Sequence, residues 1–350
     1  MVDVKALILK YRIMDKKNVI GYSNTLVPKI VNGKQDKGNL VVRIYVSKKE
    51  PMAMLNLNDL IPCSVVELTT AIQTDIVEIG AVTAPPKFNV NIKDEKVDKT
   101  KTIRPVRLGL SVGHWDITAG SIGMIYKDKN GKILIGSNAH VLTDNPSKSP
   151  EQMTEKRICQ CGPYHDSANK EANIAGTYVW HKQIYPTGTS PCPVGNNSAK
   201  ILNIIPKIFG RRGRFHYTNV EENKIDFAVY EPLVEHIPEV LDGCMKQEDK
   251  FIGHLFGGSE TIGVICKVGN ILTEGYEPVI PYTTEINIGD KVKGCSFWEQ
   301  CYTTEVTDTN AVITVNYGNF IATFSDMILV KNDNVIRGGF SGSGWRLVGG

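Results

Sequence analysis

The run GGFSGSG at Gly338–Gly344 places two serines among glycines near the carboxyl end of this 350-residue chain. Glycine tolerates backbone angles that other residues avoid, so the run predicts a tight turn that presents a serine and its neighbouring amides. Two upstream segments bear on it, SNAHVL at Ser137–Leu142 and KIDFAV at Lys224–Val229. Long stretches of chain separate the three segments, so their side chains can meet only through tertiary folding.

These segments supply a histidine, an aspartate and a serine, the groups that turn a hydroxyl into a nucleophile at neutral pH. A neutral imidazole takes the serine proton, and a carboxylate fixes the imidazole tautomer and stabilises the imidazolium. We therefore predict that His140 is the base, Asp226 its orienting partner and Ser341 the nucleophile. The backbone amides of Gly339 and Ser341 would form the oxyanion hole. The order His, Asp, Ser disfavours an α/β-hydrolase, in which the serine comes first.

Other serines and histidines compete for these roles. Ser343 lies in a similar turn, but Gly339 stands two residues before Ser341 and favours the earlier serine. Ser111 and His114 lie on one extended stretch and are expected to support the fold. The histidines that lack a local partner pattern, and that we expect to be structural or on the surface, are His165, His181, His216, His236 and His254.

Further motifs surround the candidate triad in a consistent order. The ones in the catalytic part are Arg107–His114, Thr118–Gly123, the Asn130-Gly131 turn, Ser137–Leu142, Cys161–Tyr164, Ile225–Ala228 and Gly318–Phe324, and the amino-terminal ones are Gly21–Asn24, Val41–Val46, Ile61-Pro62 and Thr74–Gly80. Together they resemble the prokaryotic trypsin-like serine peptidases related to the plant narrow-leaf proteins. The resemblance covers most of the chain. It implies a mainly β fold, a chymotrypsin-like double β-barrel preceded by a small α+β amino-terminal domain.

The chain divides into three parts on this interpretation. Residues 1–80 would form the α+β domain, with a helix around Met54–Leu60, and residues 81–104 a charged, proline-containing linker. Residues 105–350 would form the protease domain, in which β-branched runs predict strands. The predicted strands are Ser121–Lys127, Lys132–Gly136, Ile174–Val179, Asp226–Tyr230, Val264–Val268, Ala311–Tyr317 and Ile328–Val330.

The sequence departs from the family pattern in two places. Phe340 stands where the family usually has Asp before the nucleophile, so an ion pair between that Asp and a newly cut amino terminus is impossible. The segment Phe251–Tyr276 looks like the strand pair and helix that relatives carry after the nucleophile, yet here it comes before Ser341. We expect either a local permutation, in which residues 250–276 complete the second barrel, or a chain cut short with a coincidental hairpin.

The function predicted is a serine endopeptidase that hydrolyses peptide bonds through an acyl-enzyme, acting on a protein or peptide and using no cofactor or metal. An alternative is a catalytically inactive barrel that binds proteins or peptides, with Phe340 as the reason, and another is a self-processing protease. In chymotrypsin-like folds the residue six before the nucleophile often floors the substrate pocket. Here that residue is Val335, which predicts an apolar preference.

Composition restricts the cellular compartment and the classes of partner that we expect for this protein. The net charge of +3 comes from 40 basic and 37 acidic residues, a balance that argues against a nucleic-acid partner. The local exception is Lys207–Tyr217, where basic and aromatic side chains alternate. No apolar run is long enough for a membrane helix, and charges interrupt the apolar core that an export signal would need. We expect a cytoplasmic protein without a membrane partner, and a homo-oligomer stays open.

Eight cysteines are spread thinly along the chain, which favours free thiols in a long chain without an export signal. Cys295 and Cys301 flank a candidate hairpin and would be neighbours if the compartment is oxidising. Cys159, Cys161, His165 and Cys192 could hold zinc, although their spacing is not a common tetrahedral pattern. The prediction is that no metal site is present.

Overall fold

A computed structural model describes residues 2–31, 34–84, 98–116, 119–187, 198, 201–202, 204, 222–240, 243, 245–246, 248–298 and 301–349. Within them the protein is mainly β. The helices whose bounds are described are α1 (Val4–Lys10), α2 (Ala139–Leu142) and α3 (Val268–Thr273), and short 3-10 turns occur at Ile13–Asp15, Met52–Met54, Leu57–Asp59 and Pro150–Gln152.

The strands, in chain order, are β1 (Val19–Ser23), β2 (Val27–Val31), β3 (Lys34–Val46), β4 (Ser64–Glu67), β5 (Thr70–Glu78), β6 (Val106–Leu108), β7 (Ser111–His114), β8 (Gly120–Ser121), β9 (Met124–Asp128), β10 (Ile133–Ser137), β11 (Arg157–Cys159), β12 (Ile174–His181), β13 (Ala228–Pro232), β14 (His236–Val240), β15 (Lys250–Gly258), β16 (Ile262–Lys267), β17 (Tyr276–Pro278), β18 (Lys291–Gly294), β19 (Tyr302–Asn316), β20 (Ile321–Lys331) and β21 (Gly344–Leu347).

The predicted strands are therefore present, most of them shifted at their ends by a few residues and two of them much longer. The helix expected around Met54–Leu60 is wrong. Its residues form 3-10 turns, and Met52, Met54 and Leu57 are exposed, so no apolar face is available to bury a longer helix.

An eight-stranded sheet runs in the order β17-β9-β10-β13-β12-β11-β7-β8. The β9–β10 hairpin turns at Asn130 and Gly131, where Gly131 has φ +80° and the Asp128 carboxylate accepts the amides of Asn130 and Lys132. The β10–β13 pairing sets Ser137 opposite Ala228. That register brings the segment after β10 close to the segment before β13.

An eleven-stranded sheet has the path β18-β21-β15-β16-β20-β19-β1-β3-β5-β4, with β2 joined to β3. β15 pairs with β21, the strand that follows Ser341, and sets His254 opposite Gly344. β16 pairs with β20, and α3 follows β16 directly. Residues 250–267 thus lie within the sheet that carries the serine turn, whereas α3 follows them and Tyr276 begins β17 of the eight-stranded sheet. The permutation hypothesis stays a prediction.

The amino-terminal residues continue this second sheet. β1 pairs with β19, setting Gly21 opposite Ile313, and β3 pairs with β1. The inner face of α1 packs with β1, β3, β4 and β5 in an apolar cluster that also takes in Val312 of β19. Residues 1–80 are therefore joined to the rest of the chain both by backbone hydrogen bonds and by a shared core.

One pair of cysteines is oxidised, although the composition favoured free thiols. Cys295 and Cys301 form a disulfide, as the hairpin argument allowed. Among the described residues, Cys63, Cys159, Cys161 and Cys266 are free, and all but Cys63 are buried. In this same part of the chain, no helix is long and apolar enough to cross a membrane.

The joint between β1 and β19 can be tested at Gly21. A Cβ at this position would overlap the Val312 carbonyl oxygen and the Ile313 side chain. We expect Gly21→Ala to lower the free energy of unfolding by about 1–3 kcal/mol or more, the usual cost of overpacking, in urea denaturation. Gly269→Ala is the control, because a Cβ there meets Thr284 at 3.4 Å and favours the helix. Equal free energies of unfolding for the two variants would contradict close packing of Gly21 against β19.

Candidate active site

His140 and Asp226 meet in a buried contact. His140 lies in α2, directly after β10, and Asp226 lies just before β13, so the β10–β13 register brings them together. His140 Nδ1 is 2.6 Å from Asp226 Oδ2, and the His140 amide donates to Asp226 Oδ1 at 3.3 Å. A carboxylate accepts from an N–H, so Nδ1 is the donor in this contact and Nε2 is the ring nitrogen left for another partner.

Two other groups complete the surroundings of Asp226. The Tyr317 hydroxyl donates to Asp226 Oδ2 at 2.8 Å, and the Asp226 amide donates to Cys266 Sγ at 3.2 Å. The Asp226 side chain is fully buried. Neither Tyr317 nor Cys266 was predicted from the sequence, because each comes from a distant strand or hairpin and carries no local motif.

Ser341 lies in a turn held on both sides. Its carbonyl oxygen accepts the Ser121 amide at 2.7 Å, and the next amide, of Gly342, donates to the Leu255 carbonyl at 2.8 Å. A Cβ placed on Gly120 would touch both the Ser341 carbonyl oxygen and the Val141 side chain. The serine turn is therefore packed against the helical turn that carries His140.

The reactive atoms of the candidate pair are both without partners. His140 Nε2 and Ser341 Oγ are buried, and neither makes a hydrogen bond. No hydrogen bond joins the two atoms in this structure. Contacts of this kind are often long in the absence of substrate and shorten in the reacting complex.

The backbone before Ser341 turns at Gly339, one of the two residues whose amides are predicted to form the oxyanion hole. Gly339 has φ +98°, and a Cβ there would overlap the rings of Phe297 and Trp298. The Gly339 carbonyl accepts the Ser121 hydroxyl at 2.7 Å, and Trp298 Nε1 donates to the Gly338 carbonyl at 2.6 Å. Among the described residues, the amides of Gly339 and Ser341 donate to no backbone acceptor.

Phe340 anchors this turn by burial. Its side chain is fully buried in an apolar cluster that includes Leu255, Ile336 and Trp345. Its amide donates to the Arg337 carbonyl at 3.0 Å, and its carbonyl accepts the Ser343 amide at 2.9 Å. Burying a phenylalanine side chain contributes roughly 1.5–3 kcal/mol, so apolar packing can hold a turn for which an ion pair is impossible.

His254, which the sequence predicts to be structural or on the surface, is buried and contacts the serine turn. Its Nδ1 is 2.8 Å from the Gly342 carbonyl and its Nε2 is 2.5 Å from the Tyr126 hydroxyl. A carbonyl only accepts, so Nδ1 is the donor and Nε2 accepts from Tyr126. A Cβ on Gly123 would overlap this ring, which explains the glycine. His254 thus fixes the backbone one residue after Ser341.

The predicted pocket residue, Val335, is half-buried and packs against the cluster that contains Phe340. Its amide donates to the Asn332 side chain at 2.9 Å. The neighbouring Ile336 is the more buried, and a Cβ on Gly263 would come within 2.6 Å of its Cδ1. The walls of this region are apolar, and its residues come from the serine loop and from β16.

The remaining sequence candidates are not assembled into a site. Ser111 Oγ lies 2.8 Å from His165 Nδ1, and Cys161 Sγ contacts Thr102 and Asn173. Within the described ranges, no three His, Cys, Asp or Glu side chains form a group that could hold a metal ion. Cys192, His216 and the basic, aromatic run at 207–217 lie outside the described residues.

No protein-family model matches the sequence, and no curated protein matches it. A solved structure of a glutamic acid specific serine protease, which uses a novel histidine triad in substrate binding, is similar with a TM-score of 0.30 and 10% identity. The similarity covers 69% of this chain and 92% of that chain. The assignment of the site therefore rests on the contacts described above, and the resemblance to the narrow-leaf-related peptidases stays a prediction.

His254 gives the protein a testable dependence on pH. Burial lowers the pKa of His254 from 6.5 to about 4. Between pH 6.5 and about 4, His254 is protonated in the unfolded chain but not in the native state. The free energy of unfolding therefore decreases as the pH falls from 6.5 toward about 4. At about 1.36 kcal/mol per pH unit, the loss from this group is roughly 3 kcal/mol.

We expect His254→Gln to lose less stability than the wild type between pH 6.5 and 4, because glutamine can donate to Gly342 and accept from Tyr126 without titrating. Urea unfolding at a series of pH values measures this. His165, whose pKa burial also lowers to about 4, remains in both proteins and cancels from the comparison. Parallel curves for the two proteins would show that His254 does not titrate as described.

Proposed function

We propose that this chain is a serine endopeptidase with His140, Asp226 and Ser341 as its catalytic residues. The observation that carries the proposal is the buried pair of His140 and Asp226, which leaves Nε2 of the imidazole unpartnered, on a helical turn that meets the serine turn at Gly120. An imidazole fixed in this tautomer by a carboxylate is the element that activates a serine hydroxyl.

The proposed reaction uses these groups in turn. His140 Nε2 takes the proton of Ser341 Oγ as this oxygen attacks the carbonyl carbon of a peptide bond. The amides of Gly339 and Ser341 hold the oxyanion that forms. His140 then gives its proton to the leaving amine, which departs as the acyl-enzyme forms. Water, deprotonated by the same nitrogen, releases the acid and regenerates Ser341.

The fold that we propose for this activity is the chymotrypsin-like double β-barrel, one barrel from each large sheet. Its support is the position of the site, because His140 and Asp226 come from the eight-stranded sheet and Ser341 from the eleven-stranded one. On this proposal residues 105–350 form the protease domain, residues 81–104 the linker and residues 1–80 an amino-terminal domain. The shared sheet makes this last domain a support of the protease rather than an independent unit.

The packing of Phe340 supports an active enzyme over the silent barrel. On sequence alone Phe340 is the main reason to expect an inactive barrel, because it replaces an acidic residue. The buried side chain instead accompanies a turn in which Gly339 has a positive φ and, among the described residues, the amides of Gly339 and Ser341 donate to no backbone acceptor. On this proposal no cut amino terminus is needed to form the oxyanion hole.

The cytoplasmic location stays a prediction. The disulfide between Cys295 and Cys301 weighs against it, because disulfides persist mainly in oxidising compartments and are rare in cytosolic proteins.

Covalent labelling tests the proposal. We expect a fluorophosphonate to label the protein at Ser341, because the base and the oxyanion hole activate only this serine. Labelling should vanish in Ser341→Ala and His140→Ala, since loss of either group typically costs about 10⁶ in turnover. It should be strongly reduced in Asp226→Asn and should fall in acid as the imidazole takes up a proton. Mass spectrometry of the labelled peptide is the measurement.

Ser343→Ala is the matched control, because Ser343 lies in the same turn as Ser341. We expect this variant to be labelled as the wild type is. Labelling at Ser343 would move the nucleophile and keep the reaction class. A folded wild-type protein that never reacts between mildly acidic and mildly alkaline pH would favour the binding module. Cleavage within residues 81–104, present in the wild type and absent in Ser341→Ala, would favour self-processing.

The apolar surroundings of Val335 predict the substrate preference. Because an uncharged, half-buried side chain offers no partner for a cation, we expect cleavage after apolar residues in a peptide library. Val335→Asp should raise the relative rate after Arg or Lys, whereas Val335→Leu should not. Strong selectivity of the wild type for Arg or Lys would refute this preference.

A further inference from the structure

We propose that Tyr317 is a positioning residue of the catalytic site, which holds the Asp226 carboxylate and sets the strength of its bond to His140. The inference rests on the proposed function. Its basis is that one carboxylate oxygen, Asp226 Oδ2, accepts from both the Tyr317 hydroxyl at 2.8 Å and His140 Nδ1 at 2.6 Å.

The Tyr317 ring is fixed in place by its neighbours. It stacks on Phe320 with centroids 4.8 Å apart and planes 5° from parallel, and it meets His140 edge to face at 5.8 Å. The Tyr317 amide donates to the Phe320 carbonyl at 2.9 Å in the turn between β19 and β20. The hairpin therefore aims the hydroxyl at Asp226 and supports the imidazole with the same ring.

The hydroxyl can act only as a donor here. Burial raises the pKa of Tyr317 well above its usual value, and the nearby Asp226 charge raises it further, so the proton stays on the tyrosine. Donation to Asp226 Oδ2 withdraws part of the negative charge that His140 would otherwise receive. Without this donor, the carboxylate would accept more strongly from Nδ1 and would stabilise the protonated imidazole more.

The Asp226 charge also raises the pKa of three other titratable groups, which have to be considered when pH profiles are compared. Cys266 accepts the Asp226 amide, and burial raises the pKa of its thiol, so it remains neutral. His254 and His181 lie farther away, and burial lowers the pKa of each. None of these groups bonds to the carboxylate oxygens, which leaves Tyr317 as the side chain that shares Oδ2 with His140.

Tyr317→Phe removes the hydroxyl and keeps the ring. We expect the acid limb of the pH profile for fluorophosphonate inactivation to move to higher pH, and the plateau rate to fall about tenfold, as loss of a hydrogen bond to a charged group allows. Phe320→Leu, which keeps the hydroxyl but removes the stacked ring, should lower the plateau less and leave the acid limb closer to that of the wild type.

Tyr45→Phe is the matched control. Tyr45 is also a buried tyrosine that donates to a buried aspartate, Asp308, but this pair joins β3 to β19 away from the site. The two variants lose the same type of bond, so a general loss of stability should affect both. Only Tyr317→Phe should shift the acid limb.

Proton NMR separates this inference from the proposed function. We expect the downfield resonance of the His140 Nδ1 proton to move further downfield in Tyr317→Phe and to stay unchanged in Tyr45→Phe, whether or not the protein reacts with the probe. That shift would uphold the inference even if labelling failed. An unchanged resonance together with an unchanged acid limb, or a lower plateau without any shift, would overturn it.

Discussion

A carboxylate removed from water organises the centre of this molecule. Burying an ionised Asp226 without partners would cost several kcal/mol, so the fold must supply donors to both of its oxygens. It does so from two separate elements, the helical turn at His140 and the hairpin that carries Tyr317. The first follows β10 of the eight-stranded sheet and the second joins β19 to β20 of the eleven-stranded one, so satisfying one charge also ties the two sheets together.

The parts of the site that were accessible from the sequence are those with local signals. The Asn130-Gly131 turn predicts the β9–β10 hairpin, and the hairpin delivers His140 at the end of its second strand. The glycines around Ser341 predict a tight turn from local sequence alone, because glycine tolerates the backbone angles that such a turn needs. Tyr317 and His254 gave no such signal, because their partners are the Asp226 carboxylate and the Gly342 carbonyl, reached only after tertiary folding.

Two expectations differed from the structure for related physical reasons. The residues of the predicted helix at Met54–Leu60 have helix-forming side chains, but with Met54 and Leu57 in solvent no packing stabilises a helix there. Composition favours free thiols, whereas the position of Cys295 and Cys301 on either side of a candidate hairpin allows them to pair, and the structure has them as a disulfide. In both cases the outcome depended on which side chains come into contact in the folded protein.

The order of strands also bears on how the protein is made. β21 inserts between β18 and β15, and both partners precede it in the chain. During synthesis the sheet around β15 and β16 can therefore form while the serine turn is still within the ribosome. On this order, the strands that flank β21 are synthesised before Ser341. On the proposed function, the nucleophile would therefore be assembled only once β21 had docked between β18 and β15.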